Sequence, residues 1–277
     1  MPNEQLTPSL EVGEKFLQIL EKLEPVFVQA GDLALKMQKE AKHHNKYSTG
    51  NPLVDIVTNA DLAVQEFLLQ EISKTNLVKC HLFAEENTAL TEKFDEQGQY
   101  YLGIDPIDGT AVYSEGGNQF CVIITLHDGK DLLYTFVYFP ALKLTHKIIR
   151  NNYTITGQIP EISLPANVGK MILYWSGEPE KNVPKKLQDE LKKKGLIFVK
   201  ATDFAKDIAL INLFSAGKVA GVYYGKLNAY DSLVELHAAI AKGKKHYIGE
   251  GFDLTKPQKR IAGYYYPGSY LVLNESL

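Results

Sequence analysis

The chain has 277 residues, of which 45% are hydrophobic and 23% are charged, and its formal net charge is -3. This composition is ordinary for a folded globular protein and does not indicate disorder. The small negative charge provides no overall basic surface, which argues against a nucleic-acid polymer or an anionic membrane as the partner.

The two cysteines fit neither a zinc-binding spacing nor a disulfide framework, which favours a reducing compartment. The first 15 residues carry acids and prolines where a signal peptide needs a basic start and an apolar run. No apolar run approaches the roughly 20 residues that cross a bilayer. We therefore expect a cytoplasmic protein without a membrane segment.

The first half of the chain predicts helices followed by strands. Residues 9–42 carry apolar side chains mostly three and four apart, which predicts a long amphipathic helix that Pro25 kinks or divides. Gly, Pro, Asn and Ser make 43–52 a loop. A β-rich segment at 53–57 predicts a strand, and the 3.6-residue period after it predicts a helix over 59–73.

Short strands are predicted at 81–84 and 101–104, each with acidic residues at its C-terminal end. The segment 120–149 predicts an antiparallel meander of three strands. After residue 152, strands at 171–175, 196–200, 219–225 and 245–251 alternate with helices at 183–195, 203–217 and 231–242, and a tail follows. This pattern predicts an α+β half, 1–152, packed beside an α/β half, 153–277.

The sequence GIDPIDGT, residues 103–110, places Asp105 and Asp108 three residues apart. On a tight turn or the first turn of a helix, both carboxylates can face one point. Because 103–110 contains no Lys, Arg or His, a divalent cation is the simplest group to separate the two charges. Taken singly, each acid has an alternative interpretation as a cap that stabilises a helix dipole.

Other acids stand at similar places, just after predicted apolar strands or at the start of a helix: Glu85, Glu86 and Asp231. Mg²⁺ prefers oxygen ligands and keeps several waters, so a few carboxylates and a carbonyl are enough to bind it. Two such ions can polarise a phosphate and lower the pKa of a water molecule. The pattern is typical of phosphate-ester hydrolysis.

Four blocks occur in a fixed order: VDIVTNAD (54–61), FAEEN (83–87), GIDPIDGT (103–110) and AYDSLVELHAAIAKG (229–243). Together they resemble the inositol monophosphatase family of metal-dependent phosphatases, from about residue 10 to about residue 250. The resemblance implies a layered sandwich of α+β and α/β character, in which helices and sheets alternate in the order α-β-α-β-α.

The resemblance also implies roles for individual residues. Glu85, Asp105 and the carbonyl oxygen of Ile107 would hold one Mg²⁺. Asp105, Asp108 and Asp231 would hold a second, and Glu85 would also contact a third, loosely bound ion. The metal site therefore holds two or three ions.

The implied catalytic residues are Asp61, Thr110 and Glu85, with Asp61 and Thr110 orienting and deprotonating the attacking water. The implied phosphate and substrate contacts are Gly109, Thr110 and Asp231, and Lys206, in a segment that departs from the family, is a further candidate contact for phosphate or a charged leaving group. Glycine allows close backbone approach, and amides at a helix start can donate to phosphate oxygens.

Several of these residues also have a structural interpretation. Thr58-x-x-Asp61 matches a capping box that starts a helix, and Thr110 matches a helix N-cap. Lys206 matches an exposed helical lysine whose stem covers apolar surface. Glu86 adjoins Glu85 on one strand, so it points to the other face and is either solvated or behind the ligands.

The sequence departs from the family where substrates are selected. Inositol-specific members have a glutamate before the last aspartate, and this chain has Gly225 near that place; 203–209 also replaces a turn of small residues. These departures argue against a strictly inositol-specific site. We expect the substrate to be a small phosphorylated metabolite that resembles an inositol monophosphate or a nucleotide 3'-phosphate. Lithium sensitivity and a homodimer are further implications of the resemblance.

Two classes of function follow. The first is a Mg²⁺-dependent phosphoric monoester hydrolase that uses an activated water. The second is a non-catalytic relative that binds Mg²⁺ and a phosphorylated ligand or a regulatory partner. Retention of Asp61 and Thr110 beside the metal-site acids favours the first, because a binding protein has no need of them.

Overall fold

The structure, a computed structural model, describes residues 10–41, 52–161, 163–203, 208–260 and 263–274. The helices in these ranges are α1 (Leu10–Ala41), α2 (Pro52–Ile72), α3 (Thr110–Ser114), α4 (Pro179–Asn182), α5 (Lys185–Lys193), α6 (Leu210–Ser215) and α7 (Val234–Ala241). None of these seven helices has the length and the apolar character that a bilayer-crossing segment requires.

The strands of the first half are β1 (His81–Ala84), β2 (Tyr101–Asp108), β3 (Cys121–His127), β4 (Leu132–Phe139), β5 (Leu144–Ile149) and β6 (Asn152–Thr156). They form one sheet in chain order, with β1 parallel to β2 and the other pairs antiparallel. The predicted strands at 81–84 and 101–104 and the meander are confirmed. Because β6 pairs with β5, the sheet continues past residue 152, and the division into two halves there stays a prediction.

The strands of the second half are β7 (Met171–Tyr174), β8 (Ile197–Lys200), β9 (Gly221–Tyr224), β10 (Leu227–Asn228), β11 (Lys245–Ile248), β12 (Gln258–Arg260), β13 (Gly263–Tyr266) and β14 (Tyr270–Leu273). Five of them form a mixed sheet in the order β11-β14-β9-β7-β8, and β10-β13-β12 form a small antiparallel sheet. The predicted tail therefore contains three strands, one of which, β14, lies inside the five-stranded sheet.

Buried side chains show that the layers follow the predicted α-β-α-β-α order. Alternate residues of one strand face opposite layers. Val122 and Ile124 of β3 pack with α1 and α2, whereas Ile123 packs with α6, α7 and the second sheet. In that second sheet, Leu173 faces the central helices and Ile172 packs against α5. Both sheets are thus covered on both faces.

Three sequence predictions about helices need correction. The segment predicted as a strand at 53–57 is the start of α2, because Pro52 occupies the first helical position, where its fixed φ suits a helix and its missing N–H has no partner to lose. Thr58 therefore lies inside a helix and does not cap one. The helix predicted over 203–217 spans only Leu210–Ser215 within the described residues, although its predicted stop at Gly217 (φ 66°) is confirmed.

Two further differences are smaller. The helix predicted from Asp231 begins at Val234, so Asp231 lies in the preceding turn. Pro25 does not divide α1, which continues as one helix. Pro25 lies on its exposed face, so the carbonyl group that lacks an N–H partner there can bind water.

Gly103 lets strand β2 pass close to its neighbours. A Cβ atom at this position would lie 2.3 Å from Oγ1 of Thr125 and 3.1 Å from the carbonyl oxygen of Tyr230. We expect Gly103→Ala to lower the stability by about 1–3 kcal/mol, the usual cost of overpacking. Thermal unfolding should show a lower Tm, whereas Gly169→Ala, with no neighbour closer than 4.0 Å, should be near neutral. Equal Tm values for both variants would contradict this packing argument.

Candidate metal centre and adjoining pocket

A β-bulge in β2 brings Asp105 and Asp108 together. Residues three apart on a regular strand point to opposite faces. The pairing of β2 with β3 shifts register between Asp105 and Asp108, and Pro106, which has no N–H to donate, lies in the shifted segment. The two acids therefore converge, as predicted, but they do so on a bulged strand and not on a tight turn or a helix.

Asp231 reaches the same point from the turn before α7. Its carboxylate accepts hydrogen bonds from Nδ2 of Asn228 at 3.0 Å and from the hydroxyl of Ser232 at 2.5 Å. One carboxylate oxygen from each of Asp105, Asp108 and Asp231 lies within 4.8 Å of the other two. Three of the predicted metal ligands therefore share one site.

Glu85 follows β1 and lies beside this group, with its carboxyl group next to that of Asp105. Gln65 fixes the segment: its Nε2 donates to the carbonyl oxygen of Glu86 at 2.6 Å, and its Oε1 accepts from the Glu86 amide at 2.9 Å. Gln65 is buried. In the sequence, only the spacing of four residues between Gln65 and Asp61 could have indicated this positioning role, which was not predicted.

Asp61 approaches the acids from α2. Asp61 and Gln65 are one helical turn apart and so share a face of the helix. The Asp61 side chain is 3% exposed, and its Oδ1 has no hydrogen-bond partner among the described residues. Since Asp61 lies well inside α2 (Pro52–Ile72), its predicted capping-box role is excluded. A buried carboxylate oxygen without a partner requires a ligand or a proton.

Residues 107–110 connect the bulge to α3. The hydroxyl of Thr110 is 3.4 Å from the carbonyl oxygen of Ile107, to which it donates, and Gly109 (φ 89°) is the N-cap of α3. The left-handed backbone at Gly109 suits glycine. On its far side α3 is held by α1, since the Tyr113 hydroxyl donates to the carbonyl oxygen of Ala34 at 3.0 Å.

The acids raise one another's pKa values. Burial, followed by the charges of Glu85 and Glu86, raises the pKa of Asp61 to about 8. Burial, followed by the neighbouring acids, raises the pKa of Glu85 to about 7 and that of Asp105 well above its usual range. Burial and then Asp108 raise the pKa of Asp231 to about 7. Close packing of acids without a cation therefore favours their protonated forms.

These residues fit a divalent cation. The donor set consists of carboxylates, which are the hard oxygen ligands that Mg²⁺ takes. Oε2 of Glu85 is buried and has no hydrogen-bond partner among the described residues. A cation between the carboxylates would both supply that partner and remove the mutual repulsion.

A pocket of about 370 Å³ opens beside the acids. Its lining includes Asp108, Gly109, Thr110 and Asp231. It also includes Glu235, on the first turn of α7, which is 3% exposed and whose pKa burial raises to about 7. Nothing in the sequence singles out Glu235, because its place within an apolar helical run does not show that its side chain faces a cavity.

Gly225 and Lys206 lie in the two segments where the sequence departs from the family near the substrate. A Cβ atom at Gly225 would lie 2.8 Å from the Cα atom of Gly177 and 2.8 Å from the hydroxyl of Tyr223, so a larger residue does not fit without movement. Lys206 lies outside the described residues.

These observations define a class of structure. It is a mixed α/β fold with two main sheets and a cluster of three acids at a pocket. The model of the inositol monophosphatase family matches residues 19–232, which is more than half of the chain. The chain belongs to the inositol monophosphatase family, whose members are metal-dependent phosphomonoesterases.

Two curated relatives illustrate the range of the family. The chain is 29% identical to inositol monophosphatase 1 of Solanum lycopersicum over 123 residues, which cover 44% of this chain and 45% of that protein. It is 27% identical to the 3'(2'),5'-bisphosphate nucleotidase CysQ of Haemophilus influenzae over 106 residues, covering 38% and 39% of the two chains. The matched segment thus spans less than half the length of either relative.

Solved structures confirm the fold over a greater length. Inositol monophosphatase-II from Staphylococcus aureus superposes with a TM-score of 0.61 at 17% identity, covering 94% of this chain and 90% of that one. SaIMPase-II with 2'AMP bound gives a TM-score of 0.59 at 17% identity and covers 93% and 90% of the two chains. At this identity the likeness establishes the fold alone.

Proposed function

We propose that this protein is a Mg²⁺-dependent phosphomonoesterase that hydrolyses a small phosphorylated metabolite. The observation that carries the proposal is the convergence of Asp105, Asp108 and Asp231 within 4.8 Å, beside a pocket of about 370 Å³ that Asp108 and Asp231 line. Family membership supports the reaction class. SaIMPase-II binds 2'AMP in one structure, which supports a phosphate ester as the ligand here.

The proposed metal ligands are Glu85, Asp105, Asp108, Asp231 and the carbonyl oxygen of Ile107. Bound Mg²⁺, as two or three ions, would supply charge that polarises the phosphate and makes a water molecule more acidic. Glu85 lies against Asp105, so it can share a ligand site with it.

Asp61 and Thr110 are the proposed proton acceptor and orienting group. Asp61 has a buried oxygen free to accept a hydrogen bond from water. The Thr110 hydroxyl lines the pocket and can accept a hydrogen bond from the same water while it donates to the Ile107 carbonyl. Gly109 permits close approach of the phosphate, and the amide of Thr110, at the start of α3, can donate to it.

Phosphate release, measured with Mg²⁺ and with a chelator, tests the reaction. A suitable panel contains inositol 1-phosphate, 3'-phosphoadenosine 5'-phosphate, fructose 1,6-bisphosphate, histidinol phosphate and p-nitrophenyl phosphate. We expect Mg²⁺-dependent release from at least the aryl ester. Folded protein that binds Mg²⁺ but releases no phosphate from any ester would favour the non-catalytic relative.

Asp61→Asn separates a catalytic role from a structural one. Loss of a general base typically lowers the rate by about 10²–10⁴-fold, and we expect kcat to fall within that range. The folded-state pKa of Asp61 is raised to about 8, so its ionisation costs stability as the pH rises from about 4 to about 8. Metal-free Asp61→Asn should therefore be more stable than the wild type at pH 9, and this gain should shrink towards pH 4. Thermal unfolding at both pH values checks the stability.

A cytoplasmic location, a homodimer and inhibition by lithium are further parts of this proposal, and they follow from composition and from the family resemblance. Lithium would compete at the site formed by Asp105, Asp108 and Asp231. Activity measured against increasing LiCl, with NaCl as the ionic-strength control, tests that part.

A further inference from the structure

The pocket contains one acid that the proposed metal site does not use. Glu235 lies on the first turn of α7, one helical turn after Asp231, and is 3% exposed. Glu235 lines the pocket, and its carboxyl group lies near the hydroxyl of Tyr224. A carboxylate has about four acceptor positions, so Glu235 retains capacity to bind a donor that enters the pocket.

Within the part of the chain that the structure describes, no basic side chain forms an ion pair with Glu235. Lys226 is the only basic residue among the described residues that line the pocket, and its side chain is exposed. Asp108 and Asp231 are the other acids of the lining. If they hold metal ions, Glu235 remains as a buried negative charge that favours a positive partner.

Much of the rest of this wall is apolar, although Gln119, Ser176 and Asn228 also line it. Buried side chains of Ile123, Val137, Leu210 and Ile211 line it, together with the partly buried Trp175. The apolar part of this surface favours a carbon chain or ring over the several hydroxyl groups of a polyol. The pocket thus combines a largely apolar wall with a buried carboxylate, that of Glu235, outside the proposed metal site.

We propose that Glu235 binds a positively charged nitrogen on the leaving alcohol, which makes the substrate a phosphate ester of a small amino alcohol. This inference rests on the proposed phosphatase function and assigns the substrate class of the same site. The ester phosphate lies at the acids, the carbon chain lies along the apolar wall, and the ammonium group pairs with Glu235. A charge-assisted hydrogen bond of this kind is stronger than a bond to a neutral hydroxyl.

The same geometry disfavours bisphosphates. A second phosphate group directed into the pocket would approach the carboxylate of Glu235, and two like charges in a poorly solvated space repel strongly. Lys226 could attract a second phosphate only at the exposed edge of the pocket. Amino-alcohol phosphates should therefore rank above neutral esters, and neutral esters above bisphosphates.

The test uses matched pairs of esters with the full chain and Mg²⁺. One series is ω-aminoalkyl phosphates with two to six carbons, and the other is the ω-hydroxyalkyl phosphates of the same lengths. At the best length we expect kcat/KM of the amine to exceed that of its hydroxyl partner by about tenfold or more. Glu235→Gln, which keeps the shape and removes the charge, should bring this ratio close to one, mainly through a higher KM.

Glu66→Gln, an exposed acid on α2, serves as the matched control and should leave the amine-to-hydroxyl ratio unchanged. A wild-type ratio near one, or a ratio that survives Glu235→Gln, would overturn this inference while leaving the phosphatase proposal intact. A preference for fructose 1,6-bisphosphate or 3'-phosphoadenosine 5'-phosphate would overturn it as well. The wild-type ranking holds as a test even if the Glu235 variant does not fold. Absence of Mg²⁺-dependent hydrolysis of every ester, including p-nitrophenyl phosphate, would overturn both proposals.

Discussion

Replacing Asp108 by asparagine is expected to lower kcat/KM for phosphate-ester hydrolysis by about a thousandfold or more, because each 1.36 kcal/mol of lost transition-state stabilisation costs a factor of ten and a metal ion supplies several kcal/mol. Asp108 is one of the three acids whose oxygens lie within 4.8 Å of one another. Asparagine removes the charge and keeps the shape, so the cation loses a ligand while the pocket keeps its form.

The metal-free Asp108→Asn variant should fold as well as the wild type. Burial raises the pKa of Asp108, and its carboxylate lies beside other acids, so a neutral amide relieves repulsion at neutral pH. The side-chain carbonyl oxygen of the introduced asparagine can also accept the weak hydrogen bond that Cys121 now donates to Asp108 over 3.6 Å. Circular dichroism and thermal unfolding check the fold, and phosphate release checks the activity.

Asp189→Asn is the matched control for this variant. Asp189 is exposed on α5 and forms an ion pair with Lys185 at 3.2 Å, an interaction that contributes little at a surface. Its activity and its Tm should equal those of the wild type. Full activity of Asp108→Asn with saturating Mg²⁺ would remove Asp108 from the metal site and with it the central argument for the reaction.

Mg²⁺ is expected to stabilise the folded protein, and more so at high pH. A ligand at one hundred times its Kd stabilises by about 2.7 kcal/mol. For a chain of this size we expect the Tm to rise by roughly 5–10 °C at pH 8, at about 2–4 °C per kcal/mol. Differential scanning calorimetry with MgCl₂, and with NaCl at equal ionic strength, measures the shift.

The pH dependence follows from the raised pKa values. Asp61, with a folded-state pKa of about 8, and Glu85 and Asp231, with values of about 7, hold protons more tightly in the folded state than in the unfolded state. In the metal-free protein, the contribution of these three groups to the free energy of unfolding is therefore greatest below about pH 4, and it falls as the pH rises to about 8. Mg²⁺ binds the ionised carboxylates, so the gain in Tm should grow across this window.

Asp108→Asn should show a smaller Tm gain with Mg²⁺, because one ligand and one negative charge are lost. An equal gain in wild type and variant would place the Mg²⁺ elsewhere on the protein. A gain that is the same at pH 5 and at pH 8 would contradict the assignment of the raised pKa values to the metal ligands.

Local sequence patterns predicted helices and strands correctly where the buried residues of an element can be identified from its own sequence. The strand His81–Ala84, the meander from Cys121 to Ile149 and the helix Lys185–Lys193 match their predictions closely. Continuous apolar runs bounded by turn residues specify buried strands, and a charged amphipathic run specifies a surface helix. The order of the layers followed from the family resemblance and is confirmed by the buried side chains.

Local patterns failed where distant partners decide the structure. The β-rich residues 53–57 are helical, since helix propensities differ by only a few tenths of a kcal/mol and are easily overridden. The strand Tyr270–Leu273 lies within the five-stranded sheet through pairing with β9 and β11. Its short length and the Gly and Pro before it concealed that pairing in the sequence.

The sequence by itself determined which acids are present and in what order they occur, and the resemblance of that order to a known family predicted that Asp105, Asp108 and Asp231 meet. Only the tertiary structure decided how they meet, through a β-bulge that turns two residues of one strand to the same side. Only the tertiary structure placed Glu235 in the pocket and Gln65 behind Glu86. The reason is physical: the burial and the partners of a polar side chain depend on groups that folding brings close from remote parts of the chain.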